Sequence, residues 1–311
     1  HLTREYVELH HGYITADSLP GAYTVFRVEL FKGKSHFGEN VTFDETLPTN
    51  YLADEVIDDN KVNELLAKKY NETIVIAEDD SEILAYLKDE LSTNFRVIAV
   101  NNGYDAVKAV MDDEVSLILS DVLMPALNGF QLCSNIKSNI ATCHIPIVLL
   151  TALSDDNQRI YGIAEGADEY IHKPFNMQYV RLKIIRIIEE RKRLASTFAQ
   201  KFGRLTRHEA ANLPCVDDVF RDKLFNLIEA QHSDSNFKIE LMSDMLGMSR
   251  ILLYRKITSI FGMSPSDLLR NYRLQKAVQL LTDQRRNVSE VAYIVGFSSP
   301  AYFAKCFKSV Y

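Results

Sequence analysis

Between residues 72 and 174 five short runs rich in Val, Ile and Leu (ETIVIAEDD, NFRVIAV, VSLILSD, IPIVLLT and DEYIHKP) alternate with amphipathic stretches such as SEILAYLKDELS, GYDAVKAVMDD and GFQLCSNIKSN. Strands that are apolar on both faces need helices over both faces, and a strict strand–helix alternation supplies them. The pattern therefore predicts an α/β, doubly wound, five-stranded parallel sheet, closed by a long helix around Met177 to Arg193. No window approaches the eighteen or so uninterrupted apolar residues that a bilayer crossing requires. Cys133, Cys143, Cys215 and Cys306 form no CxxC pair, which suggests reduced thiols in a cytoplasm rather than disulfides or zinc.

Open sheets of this kind bind ligands beyond the carboxyl ends of their strands. Glu78 and Asp79 end the first run, Asp121 ends the third, Thr151 ends the fourth and Lys173 follows the fifth. Packed carboxylates repel one another strongly, and the arrangement makes sense only if a hard divalent cation such as Mg²⁺ occupies the gap. With such an ion present, one carboxylate can attack a phosphoryl group while the ion, a lysine and a hydroxyl neutralise the equatorial oxygens. Asp121 is the best placed for that attack. A single aspartate at a strand end is ordinarily a helix cap or a surface charge; five such groups on one edge point to chemistry.

Beyond the sheet the sequence is helical only. LMSDMLGMS and VAYIVGFSS both read as a helix, a glycine turn and a second helix opened by serine, an internal repeat of a helix-turn-helix. In the first copy Ser249 caps a helix whose Leu253 and Ile257 face inward, leaving Arg250, Ile251, Tyr254 and Arg255 on the other flanks. In the second, Gly296 makes the turn, Ser298 or Ser299 caps, Phe303 and Phe307 face inward, and Pro300, Ala301, Ala304 and Lys305 face outward. One helix from about Pro265 to Leu281 separates them by roughly 25 Å, which suits successive major-groove segments about 34 Å apart. Charge supports the division: residues 1–203 hold 20 Lys+Arg against 31 Asp+Glu, whereas residues 236–311 hold 11 against 5. A basic tail on an acidic body directs only the tail toward a polyanion.

These motifs carry family resemblances. EDD at 78–80, SDVLMPALNG at 120–129, LLTA at 149–152 and EYIHKPF at 169–175 resemble the receiver domain of two-component response regulators, over residues 73–194. That resemblance implies Asp121 as phospho-acceptor, Glu78 and Asp79 as metal-side acids, the carbonyl of Leu123 as a further Mg²⁺ ligand, Thr151 and Lys173 as phosphoryl contacts, and Tyr170 as the aromatic that turns inward on activation. Glu78 stands where many members have aspartate, and Pro174 would follow a cis bond that aims Lys173 at the site. LGMSRILLYRKI, GMSPSDLLRNYRLQKAVQLL and VSEVAYIVGFSSPAYFAKCFK resemble the AraC-type DNA-binding domain, over residues 216–311. By that resemblance the eight outward residues face bases, with Arg255 placed to read guanine. The family pattern runs on past FKSVY, so this domain is expected to be C-terminally truncated.

The opening resembles the end of a histidine kinase ATP-binding domain, with a helix over LTREYVELHHG, a strand at YITA, a turn at DSLPG and a strand at AYTVFRVEL. Residues 1–37 are accordingly expected to be a remnant of that domain, 38–72 a linker with a short helix around Val62 to Lys69, and 195–215 a second linker. The expected whole is a transcription regulator switched by phosphorylation and binding double-stranded DNA. It would be the cytoplasmic tail of a hybrid histidine kinase anchored in the inner membrane, which is its phosphodonor, and a homodimer when phosphorylated, paired through about Asp155 to Glu190. It would not be an enzyme beyond slow self-dephosphorylation. The alternative is a protein–protein phosphorelay module whose helical tail docks partners. A flavin site is disfavoured because three acids would repel its phosphate, and an aspartyl phosphatase because Leu123 stands where a second acid belongs.

Overall fold

Every residue of Thr73–Ala77, Leu117–Asp121 and Ile147–Thr151 is buried, so these runs sit inside the molecule with both faces covered. The computed structural model describes residues 7–8, 10–19, 23–31, 59–151, 166–202, 217–282 and 286–311, in two units divided after Ile57.

In the first unit β1 (Tyr13–Leu19) pairs antiparallel with β2 (Tyr23–Glu29), Tyr13 opposite Glu29 and Leu19 opposite Tyr23. The expected hairpin is present, but Asp17 and Ser18, read as turn residues, belong to β1 and pair with Val25 and Thr24. Of the expected opening helix, Val7 and Glu8 are helical, and residues 1–6 lie outside the described residues.

The second unit begins with α1 (Asp59–Ala67) and continues as β3 (Thr73–Ala77), α2 (Ser81–Ser92), β4 (Arg96–Val100), α3 (Gly103–Asp112), β5 (Leu117–Asp121), α4 (Gly129–Ser138), β6 (Ile147–Thr151), β7 (Glu169–His172) and α5 (Met177–Phe202). The five strands are all parallel, in the order β4-β3-β5-β6-β7. Side-chain alternation sorts the two cores. Ile74, Ile76, Leu117, Leu119, Val148 and Leu150 pack with Leu87 and Leu91 of α2 and Val180, Ile184 and Ile188 of α5. On the opposite face Val75, Ala77, Ile118, Ile147 and Leu149 meet Ala106 and Val110 of α3 and Leu132, Cys133 and Ile136 of α4.

The long helix expected to end near Arg193 runs on, as α5, to Phe202. The reason is packing: Ala195, Phe198 and Phe202, at helical spacing, bury themselves, and the two phenylalanines join Phe220, Phe225 and Phe261 in the core of the helical half, with ring centroids 4.8 Å apart for Phe198 and Phe261. That half comprises α6 (Asp218–Gln231), α7 (Ile239–Leu246), α8 (Arg250–Phe261), α9 (Pro265–Thr282), α10 (Val288–Ile294) and α11 (Pro300–Val310). Among the described residues, no helix is long and apolar enough to cross a membrane.

His144, after α4, is 7% exposed. Burial, aided by the charges of Lys256 and Arg191, pushes its imidazole down to about 3. A histidine held neutral in the fold and titrating near 6.5 when unfolded takes up its proton only on unfolding, so stability must fall as pH drops below about 6.5, by up to ~1.4 kcal/mol per pH unit. Urea midpoints measured between pH 7.5 and 5 are expected to decline more steeply for the native chain than for His144→Leu; parallel declines would refute this assignment.

Candidate acidic site and helix-turn-helix units

The strand order reverses direction between β3 and β5, the switch point at which open sheets gather ligands. There Glu78 follows β3, Asp79 comes next, and Asp121 closes β5; one carboxylate oxygen from each lies within 4.8 Å of the others. Glu78 is 1% and Asp121 7% exposed, while Asp79 is open to solvent. Asp80 is used locally, capping α2 by accepting from the backbone N–H groups of Glu82 and Ile83 at 2.8 and 3.1 Å.

Lys173, beyond β7 and joined to Pro174 by a cis bond as expected, reaches back between the acids, its Nζ 2.9 Å from Glu78 Oε2 and 3.1 Å from Asp121 Oδ1. The expectation that a metal ion alone relieves the repulsion is thereby amended, since the ammonium neutralises part of it. Three carboxylates against one ammonium still leave an excess negative charge and unused oxygen ligands of the hard type that suits a divalent cation. Burial, aided by the neighbouring Asp121 charge, pushes the Glu78 carboxyl up despite Lys173. For Lys173, burial pulls the ammonium down, but its bonds to Glu78 and Asp121 outweigh this and raise it.

The loop from Val122 to Asn128 folds back so tightly that a Cβ on Gly129 would stand 2.3 Å from the carbonyl oxygen of Asp121. Only glycine allows α4 to start there, with Asn128 and Gln131 forming a capping box. Leu123, in that loop, has its side chain exposed. Thr151 is buried at the tip of β6, one residue beyond Leu150, the register partner of Asp121. Tyr170 on β7 is half-buried against the core.

Both helix-turn-helix units are present. Gly247 takes a left-handed φ of 69° after α7, and Ser249 caps α8 by accepting from Leu252 N. Leu253 and Ile257 are fully buried, whereas Ile251 and Tyr254 are 63% and 49% exposed. Arg250 is exposed and paired with Glu240 at 2.9 Å. In the second unit Ser299 is the cap, Phe303 is buried and Phe307 half-buried. Ala301 and Lys305 are exposed, and Pro300 and Ala304 half-buried. The connecting α9 has 18 residues, hence a length of about 27 Å.

Arg255 differs from the expected open flank: its guanidinium donates to the carbonyl oxygens of Met111, Asp112 and Asp113 at 3.3, 2.8 and 2.9 Å, at the end of α3. The next residue, Lys256, was not singled out from sequence, yet its side chain is entirely buried, 2.6 Å from Asp217 Oδ2 and 3.1 Å from Cys143 Sγ. A signal was available, because Lys256 falls on the same helical face as Leu253 and Ile260, where a charge needs a partner.

Comparison with known proteins agrees with this division. The family model described as the response regulator receiver domain matches residues 74–185, and one described as a helix-turn-helix domain matches residues 242–311. The chain is 34% identical to Histidine kinase P4 of Formosa agariphila, over 99% of its own length and 23% of that protein. It is 38% identical to the transcriptional regulatory protein GltR of Pseudomonas aeruginosa, over 36% of its own length and 47% of that protein. It therefore spans between about a quarter and a half of these curated relatives. A solved receiver domain of a signal transduction histidine kinase from Syntrophus aciditrophicus aligns at 34% identity and a TM-score of 0.38, covering 39% of this chain and 93% of that one. The parallel sheet with its acidic edge is thus matched by the receiver domain, and the helical half with its two serine-capped turns by the helix-turn-helix domain, a combination that fits a two-component response regulator acting on transcription.

Proposed function

We propose that Asp121 accepts a phosphoryl group from a histidine kinase and that the acylphosphate so formed controls sequence-specific binding of double-stranded DNA by α8 and α11. The observation that carries this reading is the convergence of Glu78, Asp79 and Asp121 within 4.8 Å, with the Lys173 ammonium between two of them, in a chain that also bears both helix-turn-helix units.

In the transfer, a carboxylate oxygen of Asp121 attacks phosphorus as the bond from phosphorus to the donor's leaving group breaks, the leaving group departing with that electron pair. Glu78, Asp79, Asp121 and the carbonyl of Leu123 would hold Mg²⁺, which when bound supplies positive charge to the phosphoryl oxygens in flight. Lys173 exchanges its contact with Asp121 for one with a phosphoryl oxygen. The Thr151 hydroxyl, one residue beyond the register partner of Asp121, donates to another, and Tyr170 moves further into the core. No second acid follows Asp121 at the position of Leu123, so the acylphosphate persists and is only slowly lost to water.

Residues 73–194 would form the receiver and 216–311 the DNA-binding domain. The likeness to a histidine kinase over nearly the whole chain supports residues 1–37 as part of an ATP-binding domain, and a parent kinase as phosphodonor, anchored in the inner membrane with this part in the cytoplasm. Phosphorylated chains would pair, bringing four reading helices to one DNA. Part of the surface expected to pair them, residues 155–165, lies outside the described residues. Arg250, Ile251, Tyr254 and Arg255 of α8, with Pro300, Ala301, Ala304 and Lys305 of α11, would meet the bases.

Genome-wide footprinting with the native chain and Asp121→Asn side by side tests the reading. Discrete sites protected by the native chain and lost in the variant are expected. For a protein holding six or more phosphates, affinity should fall about a thousandfold between 50 and 200 mM salt. Absence of protection, or binding indifferent to salt, would favour a module that docks proteins instead.

A further inference from the structure

Two consecutive residues of α8 reach receiver groups, Arg255 alone and Lys256 together with Asp217 of its own helical half. Arg255 forks across the last carbonyls of α3, the negative end of that helix, and Lys256 sits in a closed site made by the Ile140 carbonyl, Cys143 Sγ and Asp217. An arginine bound by three carbonyl oxygens cannot also make a bidentate contact to a base. Beside it Asp112, Asp113 and Glu114 are all exposed and acidic, and would repel DNA phosphates approaching α8.

The helices that supply these acceptors reach the acidic site at their other ends. α4 starts against the carbonyl of Asp121, and the start of α3 abuts Leu127 in the loop beyond it. At the far ends the carbonyls of Met111 to Asp113 hold Arg255 and that of Ile140 holds Lys256. A half-open cleft of about 330 Å³ also lies at the junction, lined among others by His144, Arg191, Leu252, Arg255 and Thr258.

We infer that the receiver holds α8 off DNA by capturing Arg255 at the end of α3, and that rearrangement of the loop beyond Asp121 on phosphorylation is relayed along α3 and α4 to release it. This rests on the function proposed above and names how that function is regulated. In the released state Arg255 is free for a guanine, Lys256 becomes solvated, and Cys143 loses the two side chains that cover its thiol.

The test uses the full chain, with and without phosphorylation by acetyl phosphate and Mg²⁺, and has two readouts. The first needs no DNA. Alkylation of Cys143 by iodoacetamide, followed by peptide mass mapping to separate it from the other cysteines, should speed up at least about tenfold on phosphorylation, within the usual range of allosteric coupling. In Arg255→Ala it should be fast in both states. The second is the ratio of affinities of the phosphorylated and unphosphorylated chain for duplexes enriched from a random-sequence pool. That ratio should be about ten or more for the native chain and close to one for Arg255→Ala. An Arg255 that only reads bases would lower both affinities and leave the ratio intact. Unchanged Cys143 reactivity in chains whose mass shows phosphorylation, or a ratio preserved in Arg255→Ala, overturns the capture. Failure of every form to bind DNA while Cys143 still responds overturns the DNA-binding reading instead.

Discussion

Asp121→Asn is expected to take up no phosphoryl group from acetyl phosphate, whereas the native chain gains one phosphoryl mass in the presence of Mg²⁺ and loses that gain when a chelator removes the ion. A carboxamide oxygen carries no negative charge and its lone pairs are tied up in amide resonance, so the nucleophile is lost while the shape of the side chain is kept. The neighbouring acids cannot substitute. Glu78 is 1% exposed and its carboxylate is engaged by Lys173 at 2.9 Å, and Asp79 stands exposed two residues beyond the end of β3. Nor should the variant fail by unfolding, because removing one of three clustered carboxylates lessens their mutual repulsion. Labelling should drop to background, at least a hundredfold by the ~10²-fold or greater scale on which catalytic groups are missed, with an equal or higher urea midpoint. Retained labelling in Asp121→Asn, traced by peptide mapping to another residue, would remove Asp121 from the mechanism.

Asp217→Asn should carry the largest stability cost. Asp217 caps α6, accepting from Phe220 N at 2.9 Å, and neutralises Lys256 at 2.6 Å, where the lysine is wholly inaccessible to water. Burial raises the Asp217 carboxyl, but hydrogen bonds from Cys143 and Lys256 outweigh it and hold the group below the usual carboxylate range, so this contribution is present at neutral pH and lost in acid. Asparagine keeps the cap and removes the charge, leaving a buried ammonium without a counter-ion, which costs about 3–5 kcal/mol. The paired change Asp217→Asn with Lys256→Met should recover most of that loss, since a linear apolar side chain fits the same channel beside Phe220. Urea unfolding of the two singles and the double settles it: additive losses would show that the two groups do not stabilise one another.

Lys256 also marks where reading the chain stopped short. The five-stranded parallel sheet and the convergence of Glu78, Asp79, Asp121 and Lys173 on one edge were legible, because strand periodicity and the switch-point rule are local and topological: apolar runs of five fix which residues are buried, and strand ends fix which side chains emerge together. The serine cap at 249, a second at 298 or 299, and the inward Leu253, Ile257 and Phe303 followed from helical spacing in the same way, while the choice of Ser299 is the structure's. The run of α5 beyond Arg193 was not legible, because Ser196, Thr197 and Gln200 mask the apolar face of Ala195, Phe198 and Phe202, and that face gains its energy only from Phe220, Phe225 and Phe261 far along the chain.

The sequence by itself thus determined the two architectures and the gathering of acids at one sheet edge, since both depend on residue type at fixed spacing. Only the tertiary structure decided that Lys173 bridges Glu78 and Asp121, that Lys256 is buried against Asp217, and that Arg255 rests on α3 rather than standing open. Each of these pairs groups 39 to 144 residues apart. A long flexible cation has many possible partners in a sequence, and the one it takes is set by which oxygens packing has already stripped of water.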